Sequence, residues 1–215
     1  MSLLDILFPP KCVLCRKVLE SDEKDICPEC IKNAPVCSGT KRKYPFIEDW
    51  TALWYYEENV RKSLLRYKFG NRRSYAQSYG RLLAQKLNEE FPEGFDVLTW
   101  VPISPIRKLK RGYDQVEKLA SVLAEPLGMD CVRTLKKIRH NRPQSGITGQ
   151  AHRRANVLGV YKAIHTEQLW GKRVLLLDDI ITTGATAGEC ARMLLTAGAR
   201  EVYVAAVAVV RHDSK

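Results

Sequence analysis

No window of this 215-residue sequence approaches the roughly 20 uninterrupted apolar residues that a membrane-spanning helix needs. The start, MSLLDILFPP, has no basic stretch ahead of its short apolar run, which argues against export and predicts a cytoplasmic protein. Internal repeats and low-complexity tracts are lacking, and so is any helix-turn-helix pattern that would favour a repressor. No glycine-rich loop ends in GK[ST], so a Walker A phosphate site is excluded. The histidines, at 140, 152, 165 and 212, stand singly, and a lone histidine is more often structural than catalytic. Acidic charge is scarce, with 24 Asp and Glu against 35 Lys and Arg.

Hydrophobic residues make up 45% and charged residues 27%, a globular balance fitting one domain with a small appendage. The net charge of +11 is unevenly spread. Residues 1–40 hold five basic and six acidic side chains, whereas residues 104–156 hold twelve basic against four acidic. Such a concentration implies a polyanionic partner, either a phosphorylated small molecule or nucleic acid, and charge alone does not choose between them.

Residues 1–40 are rich in Cys, Pro and charge and too poor in apolar periodicity to bury a core of their own. Cys12-Val-Leu-Cys15 and Cys27-Pro-Glu-Cys30 form two CxxC pairs separated by eleven residues. Two such turns facing each other supply a closed tetrahedral shell of thiolates, the arrangement zinc prefers in structural sites. Four reduced core thiols or an iron–sulfur ligand set are the competing readings. Cys37 fits the spacing less well as a ligand, and Cys131 and Cys190 read as core residues.

Beyond residue 40 the pattern is α/β. TALWYY reads as a strand, and apolar residues from Asn59 to Phe91 recur at helical spacing, broken at Gly70 and Asn71 into two helices. DVLTWVPI (96–103), KRVLLLDD (172–179) and EVYVAAVAVV are continuous apolar runs with helices between them, which predicts a parallel sheet flanked by helices. Ser104 to Arg111 reads as a basic loop.

The densest chemistry lies in VLLLDDIITTGAT (174–186). Asp178 and Asp179 stand at the carboxyl end of a buried strand, where open α/β sheets bind ligands. Thr182, Thr183, Gly184, Ala185 and Thr186 then form a short hydroxyl-rich turn that opens a helix, and a helix start is an anion site. Carboxylates accept hydrogen bonds from a diol while the turn holds phosphate, so the ligand expected is a ribose phosphate. The competing reading is that Asp179 and a threonine merely cap the helix.

This segment resembles the phosphoribosyl pyrophosphate signature of type I phosphoribosyltransferases. The whole chain resembles the ComF family, which joins an N-terminal cysteine-rich zinc segment to a phosphoribosyltransferase-like domain. Further matches are Lys68 in LLRYKFG, Val101-Pro102, Arg111-Gly112-Tyr113-Asp114-Gln115 and Gln144 to Asn156. Where this chain has Tyr113-Asp114, the family pattern more often has Phe-Asn. The resemblance implies a zinc segment over residues 1–40 and a type I phosphoribosyltransferase-like domain over 41–215. It implies that Asp178 and Asp179 bind the ribose hydroxyls and act in catalysis, and that residues 182–186 cradle the terminal phosphate. The Val101–Ser104 turn would present backbone amides to the pyrophosphate, with Lys68, Arg107 and Arg111 as side-chain contacts and magnesium accompanying the substrate. Residues 139–156 resemble a loop that closes over the substrate, where Arg153 and Arg154 would complete the clamp. The implied function is binding of phosphoribosyl pyrophosphate in natural competence. Single-stranded DNA, competence DNA-translocation proteins and a second copy of the chain are the candidate partners. The alternative is an active transferase that moves ribosyl phosphate to a base and releases pyrophosphate.

Overall fold

The computed structural model describes residues 9–38, 42–139 and 157–211. In chain order the elements are α1 (Pro28–Asn33), β1 (Trp50–Tyr55), α2 (Glu58–Phe69), α3 (Tyr75–Glu90), β2 (Val97–Trp100), α4 (Pro105–Arg111) and α5 (Gln115–Leu127). They continue with β3 (Leu135–Lys137), β4 (Tyr161–Ala163), β5 (Arg173–Ile181), α6 (Ala185–Thr196) and β6 (Glu201–Val209). The main sheet has the order β1-β6-β5-β2 with every pair parallel, and β3 and β4 form a separate antiparallel ribbon.

The apolar runs become strands because helices cover both faces of the sheet. Along β5, Leu175 and Leu177 join the core beneath α2, α3 and α5, whereas Val174 and Leu176 join the core beneath α6 and the ribbon. Helix α2 turns Val60, Leu64 and Tyr67 inward, and α3 turns in Ala76, Tyr79, Leu83, Ala84 and Leu87, the spacing of a single helical face. The break foreseen at Gly70 and Asn71 falls between them.

The expected basic loop at 104–111 is instead mostly helix. Ser104 caps α4 by accepting from the Arg107 N–H at 3.4 Å, Pro105 opens it, and Gly112 closes it in the left-handed region at φ +75°. The α4 residues contribute no buried side chain, so the segment carries no apolar period from which a helix is recognised.

The cysteine segment shares the core of the sheet. Val13, Leu14, Leu19 and Ile26 lie in one apolar cluster with Tyr67, Tyr79 and Leu83. The carbonyls of Val13 and Leu14, inside the first CxxC turn, accept from Ser63 Oγ and from Arg66 Nη2, both on α2. Asp25 forms a two-pronged ion pair with Arg81 on α3. Downstream, the Cys37 N–H bonds the Leu53 carbonyl and the Tyr55 N–H bonds the Pro35 carbonyl, fastening the exit of the segment to β1.

Candidate functional site at the carboxyl end of the sheet

Strand β2 stops at Trp100, opposite Leu177, while β5 runs on to Ile181 against β6. One edge of β5 is therefore left without a strand partner from Asp178 onward, where strand order changes direction and ligands enter such sheets. Asp178 and Asp179 share that edge but not a face, because side chains alternate along a strand. The sequence reading treats them as one gripping pair; the structure gives them different surroundings.

Asp179 points to the α2/α5 face. Its Oδ1 lies 2.8 Å from Lys68 Nζ, in the last turn of α2, and its Oδ2 accepts from Gln115 Nε2 at 2.8 Å. Lys68, foreseen as a pyrophosphate contact, is thus the counter-ion of a buried carboxylate. Gln115 Oε1 is buried with no partner among the described residues. Asp178 lies on the other face and accepts the Asp179 N–H at 2.8 Å. Burial and the adjacent Asp179 carboxylate hold Asp178 well above the usual carboxylate range, only partly offset by that backbone hydrogen bond and by Lys68.

The turn that follows is shaped by Gly184, which has φ +75° and caps α6. A Cβ at this position would come within 2.2 Å of the Tyr44 ring, so glycine is required both by the backbone and by its neighbour. Thr183 is buried, and its Oγ1 accepts from the Ala185 N–H at 3.5 Å, one of the first-turn amides that an α-helix leaves without an intrahelical partner. Tyr44 has no signal in the sequence, because it reaches the turn from 140 positions away.

Opposite this turn, the segment after β2 is less open than foreseen. The Val101 N–H is spent on the Leu177 carbonyl, Pro102 has none, and the Ile103 N–H bonds Asp114 Oδ2 at 3.2 Å. Its amides are therefore largely engaged within the fold, and charge at this wall comes from α4. Arg107 and the partly buried Arg111 carry it; burial and Arg107 lower the Arg111 guanidinium, against the pull of Asp179. Arg111 also stacks over Phe69 at 4.9 Å. Lys108 turns away to Glu117 at 2.7 Å on the surface. Asp114 is a structural residue: it caps α5 through the Val116 and Glu117 amides while fixing Ile103. Tyr113 donates to the Tyr67 carbonyl, which accounts for a hydroxyl where the family pattern has phenylalanine. Arg153, Arg154 and the rest of 140–156 lie outside the described residues.

In the cysteine segment, Cys12, Cys15, Cys27 and Cys30 bring their Sγ atoms within 4.8 Å of one another. Cys15 Sγ and Cys27 Sγ are 3.7 Å apart, close to the edge of about 3.8 Å expected for a tetrahedron of 2.3 Å Zn–S bonds. Backbone N–H groups of Cys15, Cys27 and Leu14 outweigh burial and lower the Cys12 thiol, whereas burial raises the Cys15 and Cys30 thiols. Donor type, spacing and geometry fit one structural zinc ion. Cys37 stands apart from the quartet, and Cys190 is core, as foreseen.

A phosphoribosyl transferase domain family matches residues 75–215, and a double zinc ribbon domain matches residues 3–42. The chain belongs to the phosphoribosyl transferase domain family. With the ribbon ahead of that domain it has the two-part make-up of the ComF family. It is similar to Competence protein F of Haemophilus influenzae, 26% identical over 92% of this chain and 96% of that one. Competence protein ComFC of Streptococcus pneumoniae is 27% identical, over 89% and 96%. The DNA utilization protein YhgH of Salmonella typhimurium is 26% identical, over 90% and 87%. A solved structure of glutamine phosphoribosylpyrophosphate amidotransferase from B. subtilis is similar over 66% of this chain and 30% of that longer chain, with 29% identity and a TM-score of 0.45. No helix among the described residues is long and apolar enough to cross a membrane.

Proposed function

We propose that the crevice beside β5 binds phosphoribosyl pyrophosphate accompanied by magnesium, and that the protein uses it in handling incoming single-stranded DNA. The observation that carries the first part is the turn at 182–186, shaped around Gly184 and opening α6 immediately after two carboxylates on an uncovered strand edge. Phosphate fits the α6 amides and hydroxyls. Asp178 accepts a ribose hydroxyl, and Asp179 keeps lone pairs to offer beside Lys68 and Gln115, since a carboxylate accepts about four hydrogen bonds. The unpartnered Gln115 Oε1 suits a donor such as a metal-bound water. Magnesium, when bound with the substrate, would neutralise pyrophosphate charge; Arg107 and Arg111 supply the protein's share. The DNA role is supported by the names of the relatives and by the excess of basic residues at 104–156.

Calorimetric titration with phosphoribosyl pyrophosphate and magnesium tests the site; absence of heat with folded, zinc-loaded protein rejects it. Filter binding of single-stranded DNA across a salt series tests the DNA role. Affinity falling steeply with salt is expected, and no retention at low salt rejects it.

A second reading, turnover as a transferase, is favoured by Asp178. A carboxyl raised toward neutrality is suited to exchange a proton with an incoming base. Pyrophosphate release that depends on one particular base and vanishes in Asp178→Ala would support it, and a base screen without release would reject it.

A further inference from the structure

Between Glu58 and Glu89 the chain carries eight Lys and Arg and no acidic residue, and between Asp96 and Asp114 it carries four more with none. The fold brings these two stretches together where α2 and α4 end. Arg111 lies over the Phe69 ring at 4.9 Å, and Arg73 lies over the Tyr113 ring at 4.9 Å, its guanidinium beside Gly112. Several of the cations are neutralised by the protein itself: Lys68 by Asp179, Arg81 by Asp25, Lys86 by Glu90 and Lys108 by Glu117. Arg72, in the turn after α2, and Lys110, in α4, are exposed and have no ion-pair partner among the described residues. Apolar surface lies in water among these charges. Phe69, the last residue of α2, is 67% exposed, and Leu109 of α4 is 86% exposed. Core packing does not explain the ring, because α2 turns Val60, Leu64 and Tyr67 inward and Phe69 falls on the opposite side. Arg111 covers part of the ring and leaves most of it open.

We propose that this face is where the protein holds single-stranded DNA: an unpaired base stacks on Phe69, backed by Arg111, while the neighbouring phosphates meet Arg72, Arg73 and Lys110. The inference rests on the DNA-handling reading and gives it a place beside the β5 crevice, on residues that reading does not use. An exposed ring set among cations joins base stacking to phosphate attraction, the combination that grips single strands without reading their sequence. A duplex gains nothing from the ring, since its bases already stack on one another. Past Arg72 the surface runs into a groove of 870 Å³ between α3 and the cysteine segment, where Asp22 and Glu23 also line the wall. Those carboxylates repel phosphate, so the strand leaves Phe69 over α4 rather than through the groove.

The test is fluorescence anisotropy of labelled oligothymidylate of about 16 nucleotides, an abasic strand of the same length and the corresponding duplex, each titrated with folded, zinc-loaded protein across a salt series. Wild-type protein should favour oligothymidylate over both other probes. Phe69→Ala should weaken oligothymidylate about fivefold or more and leave the abasic strand unchanged, because it removes stacking and not charge. Arg72→Gln combined with Lys110→Gln should flatten the log–log salt slope by about 1.4, the share of two single-strand phosphates, and leave phosphoribosyl pyrophosphate affinity unchanged. All three positions are exposed, so melting temperatures should hold, which separates a lost contact from a lost fold. Unchanged oligothymidylate affinity in Phe69→Ala overturns the proposal, as does an equal loss on the abasic strand or an unmoved salt slope in the double variant. If Phe69→Ala instead loses only binding to anionic phosphatidylglycerol vesicles, the face docks on membrane and the proposal also fails. If the wild-type protein holds no oligothymidylate at low salt, it is the underlying DNA-handling reading that fails.

Discussion

Truncating Leu14 to alanine should destabilise the whole molecule rather than the cysteine segment alone. Leu14 sits between Cys12 and Cys15, is 1% exposed, and belongs to the apolar cluster that contains Tyr67 of α2 and Tyr79 of α3. Buried Leu→Ala changes cost about 2–5 kcal/mol, and in a chain of this size each kcal/mol lowers Tm by about 2–4 °C. Taking about 3 kcal/mol, Leu14→Ala should lower the main transition by about 6–12 °C. The zinc knuckle is also tied to α2 through Ser63 and Arg66, and to α3 through Asp25 and Arg81. Helix α2 carries Lys68, so loosening the knuckle should also loosen the Lys68–Asp179 contact and weaken phosphoribosyl pyrophosphate binding. The assay follows circular dichroism and zinc release to a chromophoric chelator in the same heating ramp. Coincident transitions, both shifted in Leu14→Ala, are expected. Faster zinc release with an unmoved main transition would refute the reasoning, because the segment would then be a separately folding bead.

Gly184→Ala places a methyl group into the Tyr44 ring at a positive φ, so ribose 5-phosphate binding measured by calorimetry should fall at least about tenfold. Wild-type affinity in that variant would mean the turn is not the phosphate cradle. Lys68→Met leaves Asp179 buried with Gln115 as its remaining partner and should cost about 3–5 kcal/mol in denaturant unfolding. Adding Asp179→Asn should recover a large part of that loss, and simple additivity of the two changes would show that no coupled pair exists. Asp178 is raised by burial, so the folded state holds its proton through a range where the unfolded chain has released it. Its contribution to stability is present at acid pH and is lost as pH rises toward its folded value. Asp178→Asn should therefore be near neutral at pH 4 and stabilising by about 2 kcal/mol at pH 8, read as a Tm difference between the two conditions. An equal effect at both pH values would exclude a raised carboxyl.

The parallel sheet was legible because strands covered on both faces are apolar throughout, and three of the four announce themselves as unbroken runs. The zinc quartet was legible because CxxC spacing is a local constraint: four thiols in two tight turns need only those turns to face each other. The TTGAT turn and its acidic neighbours were legible for the same reason, since strand, turn and helix start are contiguous in the chain. Helix α4 was not, because its Ser-Pro start and Gly end cap a segment whose apolar residues, Ile106 and Leu109, stay exposed.

What the residues could not express alone is which partner each site group meets across the fold. That Lys68 neutralises Asp179, that Gln115 holds its other oxygen, and that the two aspartates look into different halves of the core all depend on helices meeting a strand more than sixty positions away. Tyr44 against Gly184 and Lys137 against Tyr161 are likewise decided only when the sheet and the ribbon are assembled. Local patterns set the chemistry that is available. The long-range packing, which follows from burying both faces of one sheet, sets which charges are paired and with what.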